Sequence, residues 1–203
     1  MRERRILAKL NHPNVAHFVD AGECADGAPF FAMEYIAGTP MLEYAQAQRL
    51  DLATRLKLLI KIAGAVDYAH RQLVVHRDLK PGNVIVGADG EPKLLDFGIA
   101  KSIQQQHQAA LIDGHTAPGS RYFSLRYAAP EQLDGETEGV SIDIYALGAL
   151  LYEFLTGRPP LELAGLPPAA ARARIAHEMP RAPSDNASPD LPYPGAQLRG
   201  DLD

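Results

Sequence analysis

Three short segments of this 203-residue sequence gather oxygen-rich and cationic side chains at close spacing. The densest is His76-Arg77-Asp78-Leu79-Lys80-Pro81-Gly82-Asn83. Asp96-Phe97-Gly98 begins thirteen residues after Asn83, and Ala129-Pro130-Glu131 follows further on. Asn83 offers an amide oxygen and Asp96 a carboxylate, both hard donors suited to Mg²⁺. A single Asp or Asn in a loop is usually a turn former. The joint pattern is different: seven specified positions recur by chance on the order of once in a billion windows, taking each residue type as roughly one in twenty.

Such segments need elements to hold them. Residues 2–10 are expected to form a short helix with Ile6, Leu7 and Leu10 on one side, ended by Asn11-His12-Pro13-Asn14. Val15 to Gly22 and Pro29 to Ile36 read as strands around the turn-forming Ala25-Asp26-Gly27-Ala28, and Gly38-Thr39-Pro40 reads as a break. Leu42 to Gln48 is a short predicted helix and Asp51 to Arg71 a long one, with Asp51 placed as its N-cap. The apolar face of the long helix is read as Leu52, Leu56, Leu59, Ile60, Ala63, Val66, Tyr68 and Ala69. Val84-Ile85-Val86 and Lys93-Leu94-Leu95 are expected strands, joined by a hairpin turn at Ala88-Asp89-Gly90. Residues 98–128 read as polar and irregular. Ser141 to Thr156 is a second long helix, stopped by Gly157 with Pro159-Pro160 beyond it. Residues 169–178 are expected to be helical and 180–200, rich in proline and small polar residues, to be a loop.

Bulk composition narrows the class. An apolar fraction of 46% and a charged fraction of 22% are ordinary for a globular domain. The net charge of −5 argues against a general nucleic-acid binder. Cys24 is the single cysteine, so an internal disulfide and a cysteine-type zinc site are excluded, and a cytoplasmic location is expected. Its simplest role is that of a small residue near a strand end. The residues after Met1 do not form a signal-peptide pattern. The longest apolar stretch, Ile142 to Leu155, is interrupted by Asp143 and Glu153 and is too short to span a bilayer.

The three motifs, in this order, resemble those of bacterial Hanks-type (eukaryotic-like) serine/threonine protein kinases: His-Arg-Asp-Leu-x-x-x-Asn, Asp-Phe-Gly and Ala-Pro-Glu. The resemblance runs through nearly the whole chain, and Asp78-Leu79-Lys80 is the serine/threonine form. It implies an α+β, protein kinase-like bilobal fold with ATP and Mg²⁺ as cofactors. It also implies signalling by phosphoryl transfer from Mg-ATP to a protein serine or threonine hydroxyl. By that resemblance Asp78 orients the hydroxyl and accepts its proton, Lys80 neutralises charge on the transferring group, and Asn83 and Asp96 hold Mg²⁺. Glu3 matches the helix-C glutamate that pairs with a strand lysine. Met33 matches the gatekeeper, Glu34, Tyr35 and Ile36 the hinge beside adenine, and Ile85 the residue below the adenine face. Leu7, Phe18, His76 and Phe97 fit the apolar stack that joins the lobes. Asp143 matches the aspartate that accepts hydrogen bonds from the catalytic-loop backbone.

Regulation is implied by the same likeness. Arg77 beside Asp78 marks the type often controlled by phosphorylation of the segment from Asp96 to Glu131. With Lys101 near, it could bind a phosphate on Thr116 or Ser120. Ser124 stands where the family usually has threonine, and the proline that usually follows is Leu125. Glu131 matches the glutamate that pairs with an arginine from a later helix.

The 203 residues depart from the family at both ends. No glycine-rich loop and no Val-Ala-Ile-Lys-type strand occur before Glu3, and the family's last helices are expected beyond Asp203. The expectation is therefore a partial domain over 1–203, with 1–36 a remnant small lobe of helix C and two strands. Residues 37–203 would be the hinge and a mainly helical large lobe lacking its last helices. Such a chain is expected to transfer phosphate very poorly and to expose an edge that invites a partner, with homodimerisation or self-phosphorylation among the outcomes. The other expected partners are ATP and a protein with a serine or threonine acceptor; nucleic acid and membrane are not expected within this chain, although the full-length protein could be membrane-anchored. Two further readings stay open. One is a truncated pseudokinase acting as a non-catalytic interaction module. The other is a small-molecule kinase of the same fold, against which Lys80-Pro81 and Ala129-Pro130-Glu131 argue.

Overall fold

The computed structural model describes residues 10–25, 29–95, 97, 125–133 and 139–203. Most of the expected helix over 2–10 lies outside these, but Leu10 is buried against the main core. Strand β1 (Phe18–Glu23) pairs antiparallel with β2 (Pro29–Met33), with an irregularity between Phe18 and Asp20. Cys24 sits just past β1 and is exposed. Both strands are shorter than expected, and the start of the first expected strand bonds to Leu94 instead of to its hairpin partner. Val15 forms a parallel bridge to Leu94, the Ala16 N–H donates to the Leu94 carbonyl at 2.9 Å, and the Glu34 N–H donates to the His17 carbonyl at 2.8 Å.

Gly38-Thr39-Pro40 is a strand, β3 (Gly38–Pro40), rather than a break. It pairs antiparallel with β4 (Val84–Gly87), which pairs with β5 (Pro92–Leu94) in the order β3-β4-β5. Gly38 makes this pairing feasible: a Cβ there would lie 2.3 Å from the Val86 carbonyl oxygen. Pro40, which lacks an N–H, ends the strand and leads into helix α1 (Met41–Ala47). The β4–β5 turn has Gly90 at φ +78°, and Asp89 Oδ1 accepts the Glu91 N–H at 3.0 Å.

Helix α2 (Leu52–Arg71) starts where Asp51 accepts the Thr54 N–H at 2.8 Å. Its buried stripe is Arg55, Leu58, Leu59, Ile62, Ala65, Val66 and Ala69. The expected face is thus rotated: Ile60 points outward, 69% exposed. Small side chains at 65 and 69 fit the close packing of α2 on helix α4 (Val140–Thr156), which follows the four-residue α3 (Pro130–Leu133). Gly157, at φ +70°, ends α4 and donates to the Glu153 carbonyl at 2.8 Å.

Beyond α4 come α5 (Pro168–His177) and the single turn α6 (Pro183–Asn186). The expected loop over 180–200 is instead a packed tail. It includes a 3₁₀ turn at Gly195–Leu198, and Tyr193 and Leu198 enter the main core. The Tyr193 hydroxyl donates to the Leu155 carbonyl at 2.8 Å. Arg55 is buried beneath this tail, a position that charged residues occupy only when satisfied. It donates to the carbonyls of Leu50, Phe154 and Ala45 at 3.1, 2.6 and 3.3 Å. Its guanidinium carbon lies 5.3 Å from the Phe154 ring centre and 5.8 Å from that of Tyr193. A second, smaller core of Leu161, Leu163, Ala171 and Ile175 packs with Leu125 and Leu133. Among the described residues, no helix is long and apolar enough to cross a membrane.

Candidate active site

The site is hung from α4. This helix is apolar along most of its length, yet it carries Asp143 fully buried. A buried carboxylate must be satisfied, and this one receives three donors. Asp143 Oδ2 accepts the His76 N–H at 2.7 Å and lies 2.7 Å from His70 Nε2, while Oδ1 accepts the Arg77 N–H at 2.8 Å. Two consecutive backbone amides of the 76–83 segment are thereby fixed to a rigid helix. Arg77 itself takes φ +66°, a left-handed backbone rarely adopted by residues with a Cβ.

The loop then carries its polar groups into one cluster. The Lys80 ammonium is 2.7 Å from Asp78 Oδ2. Asn83, at the end of a 3₁₀ turn over Pro81–Asn83, donates its amide to the Asp78 carbonyl at 2.8 Å and to Asp78 Oδ2 at 3.3 Å. With the Asn83 nitrogen committed in this way, its amide oxygen is the atom left for a hard cation. The neighbouring strand exit is tied to the same place. The Leu95 N–H donates to the Asn83 carbonyl at 2.8 Å, His76 Nε2 is 2.8 Å from the Leu95 carbonyl, and the His76 and Phe97 rings lie 4.8 Å apart. Residues on both sides of Asp96 are thus held beside Asn83 and His76. Among the described residues there is no cluster of three or more His, Cys, Asp or Glu side chains able to hold a metal.

The segment after β2 runs alongside. Met33 ends β2 opposite Phe18, and Glu34 and Ile36 are half-buried. The Glu34 carboxylate receives Lys93 Nζ at 2.6 Å and the His17 N–H at 3.1 Å. Lys93 first, and then that N–H, hold its pKa below the usual glutamate range. Lys93 faces Ile85 across the β4–β5 pair, so this ion pair ties the Met33–Ile36 stretch to β5, the strand next to the one that carries Ile85. The Glu34 carbonyl and the Ile36 N–H have no protein partner among the described residues.

On the other side, Ala129 is fully buried and Glu131 is half-buried in α3. Tyr127 is buried and hydrogen-bonded to Glu153 of α4, and burial with that bond pushes its phenol pKa upward. Gln132 donates its side-chain amide to the Arg77 carbonyl at 2.9 Å. Of the residues singled out in the sequence, Glu3, Leu7, Asp96, Lys101, Thr116, Ser120 and Ser124 lie outside the described residues. Sequence reasoning missed His70, Lys93 and Gln132. His70 stands one residue past the apolar stripe of α2 and six before His76, and Gln132 directly follows Ala129-Pro130-Glu131. Proximity to a motif was their available signal.

A loop of acid, lysine and amide fixed beneath a short hairpin, with a helix-borne aspartate behind it, defines a protein kinase domain. The chain belongs to that family: the protein kinase domain matches residues 1–191. It is 37% identical over 191 residues to a probable serine/threonine-protein kinase of Streptomyces coelicolor, covering 90% of this chain and 27% of that protein. It is 36% identical over 162 residues to the serine/threonine-protein kinase PrkC of Bacillus subtilis, covering 79% of this chain and 24% of that one. The probable serine/threonine-protein kinase PknB of Bifidobacterium longum is 33% identical over 168 residues, with 78% of this chain and 24% of the relative covered. The chain therefore spans about a quarter of the length of the curated relatives it matches.

Proposed function

We propose that this domain transfers the γ-phosphoryl group of Mg-ATP to a serine or threonine hydroxyl of a protein. The observation that carries the reading is the convergence of Asp78, Lys80 and Asn83 within hydrogen-bonding distance of one another, on a loop pinned by Asp143. In the reaction the acceptor oxygen bonds to the γ-phosphorus, the bond to the β,γ-bridging oxygen breaks with its electron pair leaving on ADP, and the hydroxyl proton passes to the Asp78 carboxylate. Lys80, held 2.7 Å from that carboxylate, stabilises negative charge on the group in transit. Asn83 and Asp96 would hold Mg²⁺, which when bound offsets charge on the phosphate oxygens.

Nucleotide binding follows the same division. Residues 1–36 belong to the small lobe and 37–203 to the hinge and large lobe. Met33 borders the adenine, and the Glu34 carbonyl and Ile36 N–H, which have no protein partner among the described residues, offer it an acceptor and a donor. Ile85 packs beneath it, and Glu3 is assigned the role of the helix-C glutamate that pairs with a strand lysine. Arg77, with Thr116, Ser120, Ser124 and Glu131, belongs to the control of the segment that precedes α3. Self-phosphorylation between two copies is one route by which that segment is modified. The protein acts on the cytoplasmic side, with or without an anchor elsewhere in its full length.

Transfer by the 203 residues alone is expected to be slow, since they contain no glycine-rich loop and no Val-Ala-Ile-Lys-type strand. Binding and turnover are therefore measured together. The chain is titrated with ATP in the presence and absence of Mg²⁺, then incubated with labelled Mg-ATP and a serine-containing protein acceptor. Expected are Mg²⁺-dependent binding and a phosphoserine signal that falls roughly a hundredfold or more in Asp78→Asn while binding persists. Absence of Mg-ATP binding, or transfer indifferent to Asp78→Asn, overturns the proposal.

A further inference from the structure

We infer that Gln132 is a positioning residue that ties the Ala129-Pro130-Glu131 segment to the peptide group immediately before Asp78. The inference rests on the kinase reading above. The Arg77–Asp78 peptide is held at both of its polar ends: Gln132 Nε2 donates to the Arg77 carbonyl at 2.9 Å, and the Asp78 N–H donates to His76 Nδ1 at 3.3 Å. That peptide leaves a residue at φ +66°, a conformation an arginine does not keep without restraint. Asp143 Oδ1 restrains the N–H of Arg77, 2.8 Å away, but it leaves rotation about the other side of that residue open. The Arg77 side chain adds no restraint through its Nε, which is buried without a partner among the described residues. Gln132 is the described side chain that fixes the carbonyl.

Gln132 is itself well seated. Its own N–H donates to the carbonyl of fully buried Ala129 at 3.0 Å, and the following Leu133 packs in the smaller core. Its bond to Arg77 joins residues 55 positions apart and is not needed to satisfy the turn that carries it. A rotation of the Arg77–Asp78 peptide would swing the Asp78 carboxylate away from Lys80 Nζ and the Asn83 amide. The placement of α3 is thereby read out at Asp78. Any shift of residues 125–133 against α4 stretches the Gln132–Arg77 bond and releases that peptide, so the segment and the proton-accepting carboxylate move as a coupled pair.

Two variants of the 203-residue chain test this: Gln132→Met, which keeps bulk and removes the donor, and Gln132→Glu, which presents an acceptor to the carbonyl. Labelled with ¹³C and ¹⁵N, each is expected to shift the Arg77 carbonyl resonance. Amide exchange of Asp78 is expected to speed by roughly fivefold, as for loss of one hydrogen bond. In turnover, kcat falls by about tenfold while KM for ATP stays within about twofold. An Arg77 carbonyl and an Asp78 exchange rate that match wild type in a folded variant overturn the inference and leave the kinase reading standing. Where the Arg77 signals respond but wild type neither binds Mg-ATP nor transfers phosphate, the clamp survives and its catalytic meaning falls with the kinase reading.

Discussion

Acidification tests the tie between Glu34 and Lys93. Lys93, and after it the His17 N–H, keep the Glu34 carboxyl ionised to lower pH than an ordinary glutamate. The unfolded chain, where neither partner is held, takes up that proton first as pH falls. The stabilisation is therefore fully present above the ordinary glutamate range and fades as pH drops through the lowered folded value. Both side chains are partly exposed, so its size is on the order of 1 kcal/mol or less. Urea unfolding of wild type and Lys93→Met is expected to show a gap at about pH 7 that narrows or closes by about pH 3. A gap that is constant across this range would mean that the pair contributes nothing through its charge. The same scale shows what a sequence discloses about single residues. Asp143 stood out because a carboxylate in an apolar helix demands donors. Its third partner, His70, could not be distinguished from other polar residues on α2 until the helices were packed, because the pairing depends on their mutual rotation.

Short elements with long-range pairing were the hardest to read. Long helices and the β4–β5 hairpin were legible because periodicity, the Asp51 cap and the turn at Ala88-Asp89-Gly90 are local signals. Gly38-Thr39-Pro40 carries breaker residues, and its strand character exists only through pairing with β4. That dependence makes it testable. In Gly38→Ala the added methyl meets the Val86 carbonyl and the Ile85 side chain, 2.3 and 2.8 Å from the ideal Cβ position. A stability loss of about 1–3 kcal/mol is expected from such overpacking, read as a lower urea midpoint at unchanged slope. Because Ile85 lies on the strand proposed to face adenine, Mg-ATP binding by the same variant should weaken as well. The rotated face of α2 has a related cause: apolar residues occupy more than one possible stripe, and packing against the rest of the core, α4 included, decides which one is buried.

Seen whole, the molecule depends on a tail whose composition suggests a dangling loop. Proline and small polar residues dominate 180–203, but Tyr193, Leu198 and the partly buried Leu202 reach back into the core built by α2 and α4. The last residue is tied down too: the Asp203 carboxylate accepts the Ser184 N–H at 2.8 Å and its hydroxyl at 2.9 Å. Leu198→Ala is expected to cost about 2–5 kcal/mol, as for other fully buried leucines, with a melting temperature lowered by several degrees. A surface-like change in stability would mean that the tail is not part of the cooperative unit. Composition could not reveal this role, because the anchors, which include Ala187 and Leu191, are a few apolar residues spread among many polar ones.

The lone exposed thiol just past β1 has a practical consequence. A maleimide dye or nitroxide spin label attaches at Cys24 alone, without removing any other cysteine, and reports from the edge of the β1–β2 hairpin. Fluorescence anisotropy or spin-label line shape at this one position, followed during nucleotide titration, would time the response of the hairpin relative to changes at the catalytic loop.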